Sequence, residues 1–218
     1  MALPRITVLI SGRGSNLGSL LRAMADGTLG GAVTTVISNR ADAGGLDLAR
    51  ARDIPVAVVD HRQFPTRDAF DVALAEVVDA SRPDLIVLAG FMRVLTDTFV
   101  KYFHGRLINI HPSLLPSYPG LHTHRRALAD GVKIHGCTVH FVTPTVDAGP
   151  IIAQSAVAVG PDDNEATLAA RVLRAEHALL PAVVRWYCAG RLVVANGHVS
   201  VKDAATADAA GILRVPAD

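Results

Sequence analysis

Asn109 and His111 are the side chains best placed by type and spacing for polar chemistry. They lie in the run Leu107-Ile108-Asn109-Ile110-His111-Pro112-Ser113-Leu114-Leu115-Pro116. In a strand, residues two apart share a face, so Asn109 and His111 point one way while Ile108 and Ile110 point into a core. Pro112 biases His111 away from helical geometry, which ends the strand with the histidine at its lip. An amide there donates a hydrogen bond to developing negative charge, and an imidazole carries a proton near neutral pH. Buried Asn and His at strand ends also serve purely structural roles, and this stretch alone leaves both readings open.

A carboxylate partner is available in Val146-Asp147-Ala148-Gly149-Pro150-Ile151-Ile152. An aspartate in a glycine-proline loop is a turn former. Facing His111, it would instead favour the imidazolium for acid–base work. The sequence does not show that proximity.

Two further stretches have the make-up of binding loops. Ser11-Gly12-Arg13-Gly14-Ser15-Asn16-Leu17-Gly18 follows an apolar run and precedes helical spacing. A glycine turn between strand and helix exposes backbone N–H groups at a helix amino terminus, which suits a phosphate. It departs from the dinucleotide fingerprint, because Leu17 takes the third glycine position and the second strand ends in Ser38-Asn39 with no acidic residue. A tight turn that merely lets helix pack on sheet is the plainer alternative. In Leu88-Ala89-Gly90-Phe91-Met92-Arg93-Val94-Leu95, the apolar side chains Phe91, Met92, Val94 and Leu95 either clasp a flat aromatic ring or are ordinary core.

His122 and His124 have no matching cysteine or carboxylate cluster, so no metal site is expected. Cys137 and Cys188 lack metal-ligand spacing and any nucleophile signature, and two cysteines are too few for a disulfide framework.

The elements needed to carry these loops follow from periodicity. Strands are expected at 6–11, 33–38, 56–60, 84–89 and 107–111, alternating with helices from Leu17, over 46–52 and over 67–80. Near-continuous apolar runs, rather than alternating ones, indicate strands covered on both faces, as in a parallel sheet. The fold class is therefore α/β: a Rossmann-like, mostly parallel sheet with helices on both faces. Strands at 136–142 and 151–159 leave no room for a crossover helix and must pair antiparallel. A long helix is expected over 164–189, capped from Asp162-Asp163-Asn164, bent at Pro181 and buried along Leu168, Val172, Leu179 and Val183. Pro119-Gly120 reads as a loop feeding a helix capped at Thr123. A hairpin around Asn196-Gly197 is expected over 191–201, and the alanine-rich 204–218 as a loose tail. No repeat, linker or domain boundary stands out, so 1–203 reads as a single domain.

The chain has 218 residues, half of them hydrophobic, with 19% charged and a net charge of +1, which argues against disorder. Lysine and arginine are dispersed rather than clustered, against a nucleic-acid-binding role. No signal peptide or membrane span is expected, and the expected home is the cytoplasm.

Taken together, Ile-Ser-Gly-Arg-Gly-Ser-Asn-Leu, Leu-Ala-Gly-Phe-Met-Arg, Ile-Asn-Ile-His-Pro-Ser-Leu-Leu-Pro, Tyr-Pro-Gly-Leu-His-Thr-His, His-Gly-Cys-Thr-Val-His-Phe-Val and Asp-Ala-Gly-Pro-Ile-Ile resemble the phosphoribosylglycinamide formyltransferase family, in order from about 6 to 191. The resemblance implies the formyltransferase fold, with a phosphate-binding amino-terminal half and a folate-binding, catalytic carboxyl-terminal half. It implies transfer of the formyl group of 10-formyltetrahydrofolate, as co-substrate, to the amine of glycinamide ribonucleotide in purine biosynthesis, without a metal. By the same resemblance Asn109, His111 and Asp147 match the catalytic trio. Gly14, Ser15 and Asn16, continued by Leu17 and Gly18, match the loop for the phosphoribosyl group, and Glu176 matches a nucleotide contact. Arg67, Met92, Arg93, Val94, Leu95 and Asn109 match folate-contacting positions. Arg13 and Pro144-Thr145 depart from the family's pattern, near the phosphate and the pterin edge.

The expected partners are these small molecules, with no nucleic acid or membrane, in a monomer or homodimer. The rival readings are a formyltetrahydrofolate hydrolase, expected to carry a regulatory domain before the first strand, and another 10-formyltetrahydrofolate-dependent formyltransferase. A methionyl-tRNA formyltransferase would be expected to add an RNA-binding domain and more positive charge. A non-catalytic nucleotide-binding module would use the glycine loop alone.

Overall fold

The computed structural model describes residues 2–202. The chain divides into two compact units, Met1–Asn109 and Ile110–Asp218, so the division falls inside a strand. The main sheet has seven strands in the order β3-β2-β1-β4-β5-β6-β7.

The first unit is built from β1 (Arg5–Ile10), α1 (Ser15–Ala25), β2 (Ala32–Ser38), α2 (Gly45–Arg50), β3 (Val56–Val58), a 3-10 turn at His61–Gln63, α3 (Arg67–Ala80), β4 (Leu85–Leu88), α4 (Asp97–Tyr102) and the start of β5 (Leu107–His111). β1 pairs in parallel with both β2 and β4, β2 with β3, and β4 with β5. The consecutive residues Ile6, Thr7, Val8, Leu9 and Ile10, like Leu85, Ile86 and Val87, are fully buried, so both faces of these strands are covered. β1 lies between β2 and β4, the point where strand order reverses. In an open α/β sheet ligands gather beyond the carboxyl ends of the strands at such a point, which here are the loops starting at Ser11 and Ala89.

The second unit holds α5 (Thr123–Ala129), β6 (Ile134–Phe141), β7 (Ile151–Ala158), α6 (Glu165–Cys188), β8 (Leu192–Ala195) and β9 (His198–Val201). β6 and β7 pair antiparallel, as the short connection requires. α6 packs on both through Leu168, Val172, Leu179 and Val183, all fully buried. Asn164 caps it, accepting the N–H groups of Ala166 and Thr167. Asp163 instead pairs with Arg171 at 2.6 Å and fixes the approach to the helix. β8 and β9 form a separate hairpin whose turn residues Asn196 and Gly197 both have positive φ, the geometry of a two-residue primed turn.

Some expectations need correcting. The helix after Pro119-Gly120 is entered from His122 in the left-handed region (φ 58), with no side-chain cap; Thr123 is its first residue and is buried. α6 is a single long helix with Pro181 inside it, as expected. α4 and the 3-10 turn were not expected, being too short to show a period. The strand expected over 56–60 stops at Val58, because Asp60 turns its carboxylate onto the N–H of Arg62 and opens the 3-10 turn. Residues 204–218, expected as a loose tail, lie outside the described residues. Among the described residues no helix is long and apolar enough to cross a membrane.

Candidate active site

The glycine loop leaves β1 and enters α1 at Gly14, whose φ of 75° is left-handed and which offers no side-chain cap. Gly14 has no side chain with which to cap α1, and a helix amino end left uncapped in this way suits an anion. Gly14 is required here twice over, because a Cβ on it would lie 2.6 Å from Gly45 Cα. Gly45 starts α2 and donates its N–H to Gly12 O at 3.0 Å, so two facing glycines clamp the loop. Ser15 is exposed, Asn16 and Leu17 are buried, and Gly18 donates back to Gly14 O at 2.8 Å.

In the loop after β4, Gly90 has a φ of 75° and the chain leaves the sheet there. The residues beyond alternate in exposure: Phe91 and Leu95 are core at 8% and 7%, whereas Met92 and Val94 are 66% and 52% exposed. Two apolar side chains thus anchor the loop in the core and two are presented to solvent. The Arg93 guanidinium lies over the Phe70 ring, 5.8 Å from its centroid. Arg67, the first residue of α3, is exposed.

In the second unit His111 is 6% exposed at the end of β5. Its Nδ1 lies 3.4 Å from Asp147 Oδ2, and its Nε2 donates to Tyr118 O at 3.0 Å. Both ring nitrogens thus face oxygens, a carboxylate on one side and a backbone carbonyl on the other. Asp147 is itself held in place. It takes the left-handed region (φ 53), and Gly120 donates its N–H to Oδ2 at 2.8 Å. Gly149 makes that loop possible, since a Cβ on it would meet Phe141 O at 1.8 Å.

Other imidazoles surround the pair. His140 Nδ1 donates to Phe141 O at 2.9 Å and its Nε2 lies 3.7 Å from Asp147 Oδ1. Burial holds its pKa below the usual histidine value. His124 Nδ1 and His135 Nε2 are 3.2 Å apart. Burial lowers both, and His135, further opposed by His124, is pushed down to about 4. These neighbours stay neutral at neutral pH. The loop between β5 and α5 is braced by Thr138, which donates to Ser113 O at 2.7 Å and accepts from Leu115 N at 3.0 Å. Cys137 is fully buried and its thiol is pushed up by burial, which leaves it unreactive.

Of the residues expected from the sequence, the structure brings His111 and Asp147 together across 36 positions, with Asn109 two residues before His111 on β5. Glu176 lies on α6 and is 7% exposed. The sequence reading missed His140, the Gly120 amide and the Tyr118 carbonyl. The alternation of β6 puts Thr138 and His140 on one face, which was a usable signal for His140. Nothing in the sequence marks which backbone groups a loop will present. Among the described residues no cluster of three or more His, Cys, Asp or Glu is arranged to hold a metal ion.

A mostly parallel sheet, with a glycine loop at its reversal point and an aspartate-paired histidine ending a strand, defines an α/β protein equipped for acid–base group transfer. The family model described as formyl transferase matches residues 4–184. The chain belongs to the formyl transferase family. It is 49% identical to the phosphoribosylglycinamide formyltransferase of Escherichia coli over 187 residues, 86% of this chain and 88% of that one. Its fold is similar to the crystal structure of glycinamide ribonucleotide transformylase 1 from Symbiobacterium toebii, with a TM-score of 0.90 at 47% identity, covering 92% of this chain and 95% of that one. At lower identity, 28%, a formyltetrahydrofolate deformylase from Pseudomonas syringae aligns with a TM-score of 0.86 over 92% of this chain and 66% of its own.

Proposed function

We propose that the protein transfers the formyl group of 10-formyltetrahydrofolate to the amine of N1-(5-phosphoribosyl)glycinamide, a step of de novo purine biosynthesis. The observation that carries this reading is the His111–Asp147 pair, at 3.4 Å, in a chain of this family. Attack of the amine on the formyl carbon places negative charge on the formyl oxygen. The Asn109 amide and the imidazolium of His111 stabilise that charge. The attacking nitrogen then loses a proton and the departing folate nitrogen gains one, with His111 as carrier and Asp147 balancing its charge. The His111 ring nitrogen that turns to the formyl group has to give up its present oxygen partner, Asp147 or the Tyr118 carbonyl. No acyl-enzyme is needed. Holding amine and formyl carbon in line supplies much of the acceleration.

In this reading Gly14, Ser15, Asn16, Leu17 and Gly18 hold the phosphoribosyl group on the uncapped end of α1, and Glu176 contacts the nucleotide. Met92, Arg93, Val94 and Leu95 line the pterin, with the exposed Met92 and Val94 as the apolar contacts, and Arg67 meets the folate.

The likeness to a deformylase supports a second reading, in which water replaces the amine. Incubating the protein with 10-formyltetrahydrofolate, with and without glycinamide ribonucleotide, separates the two. Tetrahydrofolate release that requires the nucleotide supports transfer. Release at the same rate without it overturns transfer in favour of hydrolysis.

A further inference from the structure

Ser11 directly follows β1, one residue before Gly12 of the glycine loop, and is 7% exposed. Its N–H donates to Gly90 O at 3.1 Å, extending the β1–β4 ladder one step past its last paired residues, Leu9 and Leu88. Its hydroxyl does more. It accepts the backbone N–H of Met92 at 2.8 Å and donates to Asn39 Oδ1 at 2.6 Å. Met92 has already left the sheet after Gly90, so no strand acceptor reaches its N–H, and the serine hydroxyl takes the place of one.

Asn39, 2% exposed beyond the end of β2, is fixed in turn by His61 in the 3-10 turn. His61 Nδ1 lies 2.9 Å from Asn39 O and 3.1 Å from Asn39 Nδ2, so either tautomer makes a bond. The chain Met92 N–H to Ser11 hydroxyl to Asn39 to His61 therefore has a donor and an acceptor at every link.

We propose that Ser11 is a positioning residue for the folate half of the reaction. Its hydroxyl sets the direction in which Met92, Arg93 and Val94 leave the sheet, and so the wall against which the bicyclic ring lies. This rests on the formyl-transfer reading. The selectivity it requires is unexpected from proximity, because Ser11 is bonded in sequence to the nucleotide loop, yet its side chain serves the other substrate. A merely structural serine would disturb the adjacent Gly12 and Arg13 first.

The test is steady-state kinetics and equilibrium folate binding for the wild type, Ser11→Ala, Ser11→Thr and Asn39→Ala. Losing the hydroxyl leaves the Met92 N–H and the Asn39 oxygen unpaired. Ser11→Ala is expected to raise KM and Kd for the folate roughly 5- to 20-fold, with the nucleotide KM changed less than about twofold. Ser11→Thr, which keeps the hydroxyl, restores the folate values, and Asn39→Ala gives a smaller selective rise, a readout that stands if Ser11→Ala fails to fold. Equal rises in both KM values, or unchanged folate values, overturn the proposal. A wild type that transfers no formyl group overturns the functional reading instead, and the two failures are distinct.

Discussion

Asp147 Oδ2 lies 3.4 Å from His111 Nδ1, and the same oxygen takes the Gly120 N–H at 2.8 Å. One carboxylate atom thus faces an imidazole ring and a fixed backbone donor, which together orient it. Asp147→Asn keeps an oxygen for Gly120, and asparagine tolerates the left-handed backbone that Asp147 adopts (φ 53). Fold and ligand affinity are therefore expected to survive while turnover falls about 10²- to 10⁴-fold. Comparing kcat with the directly measured Kd for each substrate checks this. Losses of equal size in both would make Asp147 a turn residue and no more.

Gly149 and Gly136 allow a controlled comparison along the β6–β7 pair. A Cβ on Gly149 would sit 1.8 Å from Phe141 O, and one on Gly136 would sit 2.0 Å from Ser155 O. Both oxygens belong to the backbone and cannot rotate away, so each Gly→Ala change forces strand separation at a cost of about 1–3 kcal/mol. Only Gly149 lies in the loop that carries Asp147. Gly149→Ala is expected to lose activity beyond its loss of stability, whereas Gly136→Ala loses stability alone. Urea unfolding and kcat measured on both variants decide the matter.

The parallel half of the fold was legible because its strands are covered on both faces: 67–80 and 107–111 coincide with α3 and β5 as observed. The hairpin was legible from Asn196-Gly197, whose positive φ values only a few residue types accept. The acid–base pair was legible in part. Residue type and strand position marked His111, but its approach to Asp147 depends on a loop fixed by Gly149 and by the Gly120 amide, and backbone groups have no signature in sequence. For the same reason the links from Ser11 to Met92 and Asn39 were not readable: they arise from parallel register, which brings together residues 81 and 28 positions apart.

His135 gives the fold an acid limit. It is 1% exposed, its Nε2 lies 3.2 Å from His124 Nδ1, and its pKa is pushed down to about 4 from 6.5, chiefly by burial. In the unfolded chain the ring takes up a proton below about pH 6.5, whereas in the folded protein it does so only near pH 4. Between these values the unfolded state binds more protons, so stability rises with pH across the window and is lost as pH falls through it. The difference amounts to something on the order of 2–3 kcal/mol. His124 and His140, also lowered by burial, lose stability in the same direction. The lowered carboxylates Asp60 and Asp163 act elsewhere, because their contribution is lost only as pH falls below their usual 3.8. Urea unfolding between pH 7 and pH 4.5 should therefore show a steep decline in the wild type and a shallower one in His135→Gln, which has no proton to gain. Parallel declines in the two proteins would remove His135 as the source of the acid limit and leave it with His124 and His140.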